Sequence, residues 1–191
     1  DRSLAATADT AAEATSDDDR PPVVIVGTGL AGYTLAKELR ARDPQRAITL
    51  VTADAGAFVS KPMLSNALAQ GRTPADLVQA DAASMAREYR LDIRTGVRVQ
   101  GIDRDRRRLA SSEGDIAYGD LVRATGAAPA PLPLPGEAAR DVFRVNNLAD
   151  YTTFREHLHA HARVLLIGAG LIGCEFANDL AAAGHGVHVV D

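Results

Sequence analysis

Six glycines in two sets carry the clearest chemistry in the chain. The first set lies in Pro22-Val-Val-Ile-Val-Gly-Thr-Gly-Leu-Ala-Gly32, the second in Arg163-Val-Leu-Leu-Ile-Gly-Ala-Gly-Leu-Ile-Gly173. Each G-x-G-x-x-G follows a short apolar strand pattern and precedes a helical one, which is the context that gives the motif meaning. The spacing suits a pyrophosphate. Gly27 and Gly168 allow a tight turn, Gly29 and Gly170 let the backbone approach phosphate, and Gly32 and Gly173 let helix pack on strand. Thr28, Leu30 and Ala31 in one loop, and Leu171 and Ile172 in the other, lie where helix N–H groups lack intrahelical partners at the positive end of the dipole. Alone, one such motif is a weak signal. Two in one chain imply two nucleotides that exchange electrons.

Carboxylates near the return strands are the next candidates. Ile48–Val51 reads as the strand that closes the first unit, and Asp54 comes two positions later than a ribose-holding acid usually does. It reads either as a ribose ligand or as a surface turn. Val187–Val190 reads as the second return strand, and Asp191 follows at once. A carboxylate there accepts both ribose hydroxyls and repels a 2′-phosphate. Lys61 is one of two lysines, with Lys37, among 21 basic residues; in isolation it reads as a surface lysine. Glu175 falls in the first turn of the second helix, where the helix dipole alone favours it.

These residues need elements to hold them. Residues 22–54 read as a β-α-β unit. Pro62 suits a first helical turn behind Ser60 or Lys61, so a helix over Met63–Gln70 stopped by Gly71 is expected. A second helix near Asp81–Tyr89 has Asp81 as its cap. Short strands follow at Leu91–Arg94, Val97–Ile102, Arg107–Ala110 and Ile116–Tyr118, then a buried strand over Leu121–Gly126. The run Arg104–Arg108 falls in a hairpin tip, a solvated turn in preference to a docking patch. Pro129, Pro131, Pro133 and Pro135 mark a stiff connector. A helix over Leu148–His161, capped by Asn146 or Asn147, leads into the second unit, where Leu171–Ala183 is a helix ended by Gly184. His157, His159 and His161 invite a metal reading, but no cysteine or carboxylate stands at ligand spacing, and histidines also suit a helix C-terminus.

Composition sets bounds. The net charge of −4 resides entirely in residues 1–20, and the rest of the chain balances. No basic face points to nucleic acid. No apolar run approaches the ~20 residues of a membrane span, and no secretory signal is visible. One cysteine excludes an internal disulfide; with no targeting signal, a reduced cytoplasmic setting is expected. Cys174 reads as a small buried filler. Residues 1–20 have too little apolar surface to offset the entropy of ordering, so residues 1–21 are expected to be a disordered linker. The expected organisation is α/β: a Rossmann-like domain with an antiparallel β meander at 22–145, then the start of a second Rossmann-like domain at 146–191.

Val26-Gly-Thr-Gly-Leu-Ala-Gly32, Ser60-Lys-Pro-Met-Leu-Ser65, Ala124-Thr-Gly-Ala127 and Gly170-Leu-Ile-Gly-Cys-Glu-Phe-Ala-Asn-Asp-Leu180 resemble the FAD-dependent two-dinucleotide reductases, the pyridine nucleotide-disulfide oxidoreductase-like family. Within it they are most similar to the rubredoxin–NAD reductases, over the N-terminal half only. The resemblance implies FAD on the first loop and NAD(H) on the second. It also implies FAD contacts from Ser60, Lys61 and Pro62, from Val99 at the adenine, and from Thr125 and Gly126, with Glu175 at the flavin–nicotinamide junction. The implied activity passes electrons from NADH through flavin to rubredoxin or a similar iron protein. Reductases serving ferredoxin, nitrite or flavorubredoxin systems share the scaffold, and a non-catalytic FAD-binding fragment is the other alternative. Disulfide reductases of similar architecture carry a cysteine pair before the matching lysine; Phe58-Val59-Ser60 has none, which excludes a dithiol relay.

Two expectations follow. Lys61 and Glu175 should form a salt bridge, Glu175 keeping the lysine charged beside the flavin. The acidic tail should tether a small domain, a rubredoxin encoded upstream, at an effective concentration around millimolar.

Overall fold

The computed structural model describes residues 20–130 and 132–191; the acidic segment 1–19 and Pro131 lie outside the described residues. Arg20, just after that segment, pairs with Asp43 at 2.8 Å.

Strand β1 (Val23–Val26), helix α1 (Leu30–Arg42) and strand β2 (Ile48–Val51) form the first unit. Apart from Thr49 both strands are aliphatic, and they are almost wholly buried, as parallel strands covered on two faces must be. After β3 (Phe58–Val59), a 3-10 helix (Lys61–Ser65) and β4 (Val78–Ala80), α2 (Ala82–Tyr89) leads into β5 (Asp92–Arg94). The meander is β6 (Val99–Asp103), β7 (Arg108–Ser111) and β8 (Gly114–Ala117), antiparallel throughout. Strand β9 (Asp120–Arg123) then joins a four-stranded parallel sheet of order β5-β2-β1-β9. Helix α3 (Leu148–His157), strand β10 (Arg163–Ile167), helix α4 (Leu171–Ala182) and strand β11 (Gly186–Val190) complete the chain, with β10 and β11 paired in parallel.

Three apolar clusters hold these layers. Ile25, Leu50, Tyr33 and Ala36 anchor the first, between the sheet and α1. Val24, Val51, Leu109 and Ile116 join the sheet to the meander. Leu64, Ala67, Leu77 and Tyr151 form the third, with Phe176 of α4 packed against it. The third draws residues from both sides of the expected 145/146 boundary.

Several expectations change. The segment Met63–Gln70 is not an α-helix: Asn66 Nδ2 donates to Pro62 O at 3.1 Å, while Asn66 N donates to Met63 O at 3.3 Å. A side chain thereby takes the carbonyl an α-helix would use, and the chain closes as a 3-10 turn. Gly71 (φ +66°) ends a loop instead of a helix. The strand expected over Leu91–Arg94 begins at Asp92 and lies in the parallel sheet, beside β2. Helix α3 stops at His157, where Leu158 N turns back to Arg155 O, and His161 is left-handed at φ +54°. His157 and His161 therefore do not share a helix turn. Among the described residues no cluster of three His, Cys, Asp or Glu could hold a metal ion. Cys174 is exposed, not buried, its thiol donating to Ala169 O at 3.3 Å on the open start of α4.

Candidate functional site

The two glycine loops solve the same local problem in the same way. Gly27 has φ +113° and Gly168 φ +107°, conformations open to glycine alone at low cost. A Cβ on Gly32 would overlap Gly27 O, and one on Gly173 would overlap Gly168 O. Helix and turn thus touch through bare backbone. At Gly29 and Gly170 an added Cβ meets nothing within 4 Å, so both face open space. Helices α1 and α4 start at these glycines without any side-chain cap, leaving their first N–H groups, those of Leu30 and Ala31 and of Leu171 and Ile172, for an outside acceptor. This is what a pyrophosphate requires, and the residues present fit a dinucleotide at each loop.

Around the first loop, Ala124 N donates to Val26 O at 2.8 Å, so Ala124 and Thr125 border Gly27 directly, with Gly126 next in the chain. Gly126 turns there with φ +69°. Asp54 is a turn organiser: its Oδ1 accepts from Thr52 Oγ1 and Gly56 N, both at 2.8 Å, and from Thr28 Oγ1 at 3.5 Å. The hydrogen bonds gather on that one oxygen, beside the glycine loop. The Tyr33 hydroxyl donates to Gly56 O beneath this turn. Burial, with Asp54 and Asp81 adding negative potential, pushes its pKa up to about 12. Val99 packs half-buried on the cluster behind β1 and β2. In the second unit, Asp191 Oδ1 accepts from Ala169 N at 3.0 Å, which fixes its carboxylate against the glycine loop.

Between the units lies a cavity of about 300 Å³, lined by both expected catalytic residues, Lys61 and Glu175. They do not pair. Lys61 Nζ donates to Asn146 Oδ1 at 2.8 Å, and Glu175 Oε2 accepts from Ser65 Oγ at 2.7 Å. No ion pair within 4.0 Å joins them among the described residues. The 3-10 helix explains this: Lys61 is its first residue and Ser65 its last, and α4 approaches the last. Ser60 precedes the turn as its cap residue, and Pro62 sits in its first turn. Leu171 and Ile172 supply apolar wall and are 77% and 66% exposed.

Three residues escaped the sequence reading. Asn146, expected only as a helix cap, also bonds Ala127 O through Nδ2 at 3.1 Å, and the cap is Asn147. Ser65 is buried against Glu175. Asp179 is 4% exposed, and its carboxylate accepts from the backbone of Leu68 and Ala69. Only Asp179 left a trace in sequence, an acid one turn after Glu175.

The family model described as pyridine nucleotide-disulphide oxidoreductase matches residues 21–191. The chain belongs to that family. Among oxidoreductases of the family, the rubredoxin-NAD(+) reductase of Alcanivorax borkumensis is 45% identical over 170 residues, 89% of this chain and 44% of that protein. The rubredoxin-NAD(+) reductase of Acinetobacter baylyi is 41% identical over 176 residues, 89% of this chain and 45% of that protein. The chain thus spans less than half the length of these relatives. The solved covalent putidaredoxin reductase–putidaredoxin complex contains a chain of TM-score 0.79 and 34% identity, over 90% of this chain and 42% of that one. The mixed α/β architecture with its parallel sheet is that of the family.

Proposed function

We propose that this chain is the nucleotide-binding part of an NADH-dependent flavoprotein reductase that delivers electrons to rubredoxin or a similar small iron protein. The observation that carries the reading is the pair of matching glycine cradles with one cavity between them. In this reading the first loop holds FAD, with Asp54, Ser60, Lys61, Pro62, Val99, Thr125 and Gly126 around it. The second loop holds NAD(H), with Asp191 selecting against a 2′-phosphate. The 22–145 and 146–191 segments are the corresponding domains.

The bound pair supplies hydride transfer and then one-electron release. The chain's own residues bind, orient and exclude water. Helix N-termini at Gly29 and Gly170 neutralise phosphate charge. Leu171 and Ile172 form an apolar wall at the cavity. Lys61 meets a neutral partner there, Asn146, so no paired carboxylate offsets the field it would exert on negative charge arising nearby. Glu175 is held by the Ser65 hydroxyl and does not bond the lysine. The cytoplasm is the compartment proposed, where a lone cysteine stays reduced. No helix among the described residues is long and apolar enough to cross a membrane.

The test is direct. FAD added to the purified protein should lose fluorescence on binding, and the full-length protein should then reduce rubredoxin with NADH. Absence of flavin binding, or electron delivery from NADPH in preference to NADH, would overturn the reading.

A further inference from the structure

Helix α4 does more than open the second loop. It directs Ile172, Glu175, Phe176 and Asp179 to one side at helical spacing. Ile172 and Glu175 line the cavity, and Phe176 enters the third apolar cluster. Asp179 goes furthest. Its Oδ2 accepts from Leu68 N at 3.0 Å and its Oδ1 from Ala69 N at 2.8 Å. With the Ser65–Glu175 bond, two carboxylates one turn apart hold both ends of segment 65–69. That segment continues directly from the 3-10 helix that begins at Lys61. From the far side, Arg155 of α3 donates to Arg72 O at 3.1 Å.

A buried carboxylate with a backbone N–H on each oxygen is a directional joint. If it slid, it would leave a charge or an amide buried without a partner, which is costly. Packing alone would not need the charge, since leucine would fill such a site. The joint also ignores the side chains of Leu68 and Ala69, so it reads the position of the loop backbone.

We propose that α4 is a coupling arm. Through Glu175 and Asp179 it fixes the loop carrying Lys61 to the helix that opens the second phosphate cradle, so that filling the second site is felt at the first. The inference rests on the assignment of FAD to the first loop and NAD(H) to the second. Asp179 is then a positioning residue, acting through the 65–69 backbone on Lys61. Coupling of this kind is reciprocal: the flavin-loaded protein and the flavin-free protein differ in affinity for the second nucleotide.

The experiment uses the FAD-loaded protein and oxidised NAD+, so that no electrons move. Wild-type protein should show a change in the visible flavin spectrum as NAD+ fills the second site. In Asp179→Asn one acceptor oxygen becomes an NH2 group facing a backbone N–H. Amide exchange at Leu68 and Ala69 should quicken about tenfold or more. The flavin response at saturating NAD+ should fall below about half, with FAD affinity changed less than about twofold. Ser65→Ala removes only a hydroxyl from the other end of the clasp and should move both readouts in the same direction; it decides the matter if Asp179→Asn does not fold. Unchanged exchange and an unchanged flavin response in the folded variants would overturn the coupling alone. A wild-type protein that takes up no FAD would overturn the functional assignment and the coupling with it.

Discussion

The Lys61 ammonium lies 2.8 Å from Asn146 Oδ1, a neutral partner drawn from the other side of the cavity, while Glu175 turns to Ser65. The amide of Asn146 has only one orientation available, because its Nδ2 donates to Ala127 O. An aspartate there would face Ala127 O with a second acceptor and neutralise Lys61.

Asn146→Asp should therefore lower the two-electron potential of bound flavin, as should Lys61→Met. A loss of about 1.4 kcal/mol of charge stabilisation corresponds to roughly 30 mV for a two-electron couple. Spectroelectrochemical titration of the FAD-loaded variants measures it, and potentials equal to wild type would remove Lys61 from this role.

Two glycine substitutions separate folding from binding. Gly27→Ala forces a left-handed residue whose Cβ overlaps Ala124 O, and should cost about 2 kcal/mol or more of stability. Gly29→Ala has ordinary backbone angles and free space, and should cost less than about 0.5 kcal/mol. Its methyl instead points into the phosphate approach, weakening FAD about tenfold or more, near 1.4 kcal/mol. Denaturant melts and FAD titrations on the two variants should give opposite orders of damage.

At the second loop, Asp191→Ala frees Ala169 N and removes the charge that would meet a 2′-phosphate. In the full-length protein the NADH-over-NADPH preference in kcat/KM should fall about tenfold or more. A preference that survives intact would locate selection elsewhere.

Alkaline pH tests the turn under the first loop. The Tyr33 pKa is raised to about 12 in the fold against an ordinary 10.0. As pH climbs above 10 the unfolded state loses the phenolic proton while the folded state keeps it. The stability linked to this group is therefore complete below pH 10 and lost as pH rises towards 12. Tyr33→Phe should flatten stability over that window, at a fixed cost of about 1–3 kcal/mol from the unpaired Gly56 carbonyl. Urea melts from pH 9 to 11.5 check both parts.

Much of this was legible in the sequence where one short stretch fixes its own geometry. The bounds of β2 match the reading, and both glycine loops and the Asp81 cap are local matters of turn, burial and N–H satisfaction. The parallel placement of β5 was not legible, since three residues carry no periodicity that tells one sheet from another. Nor were β3 and β4, a strand pair of two and three residues. Within the site the limits are of the same kind. Lys61 and Asn146 are separated by 85 positions, and Asp179 and Ala69 by 110. Neither pairing leaves any mark in the spacing around its members. The Lys61–Glu175 bridge was drawn from opposite charge and from the place each residue takes beside the expected flavin, and a single turn of 3-10 helix gives each a different partner.

The third apolar cluster has a further consequence, for how the protein comes apart. Tyr151 is 1% exposed and Leu64 4%, and the cluster they share takes Phe176 from α4 and Leu77 from the opposite side. Breaking the second unit away would open this cluster and expose the Asp179 carboxylate and two amides at the same moment. The first parallel sheet ends at Arg123 and the second begins at Arg163, and the third cluster is built across that gap, so the unit expected to unfold cooperatively takes in both sides of it. Heating should release α3, α4 and the 61–72 loop together, in one calorimetric transition.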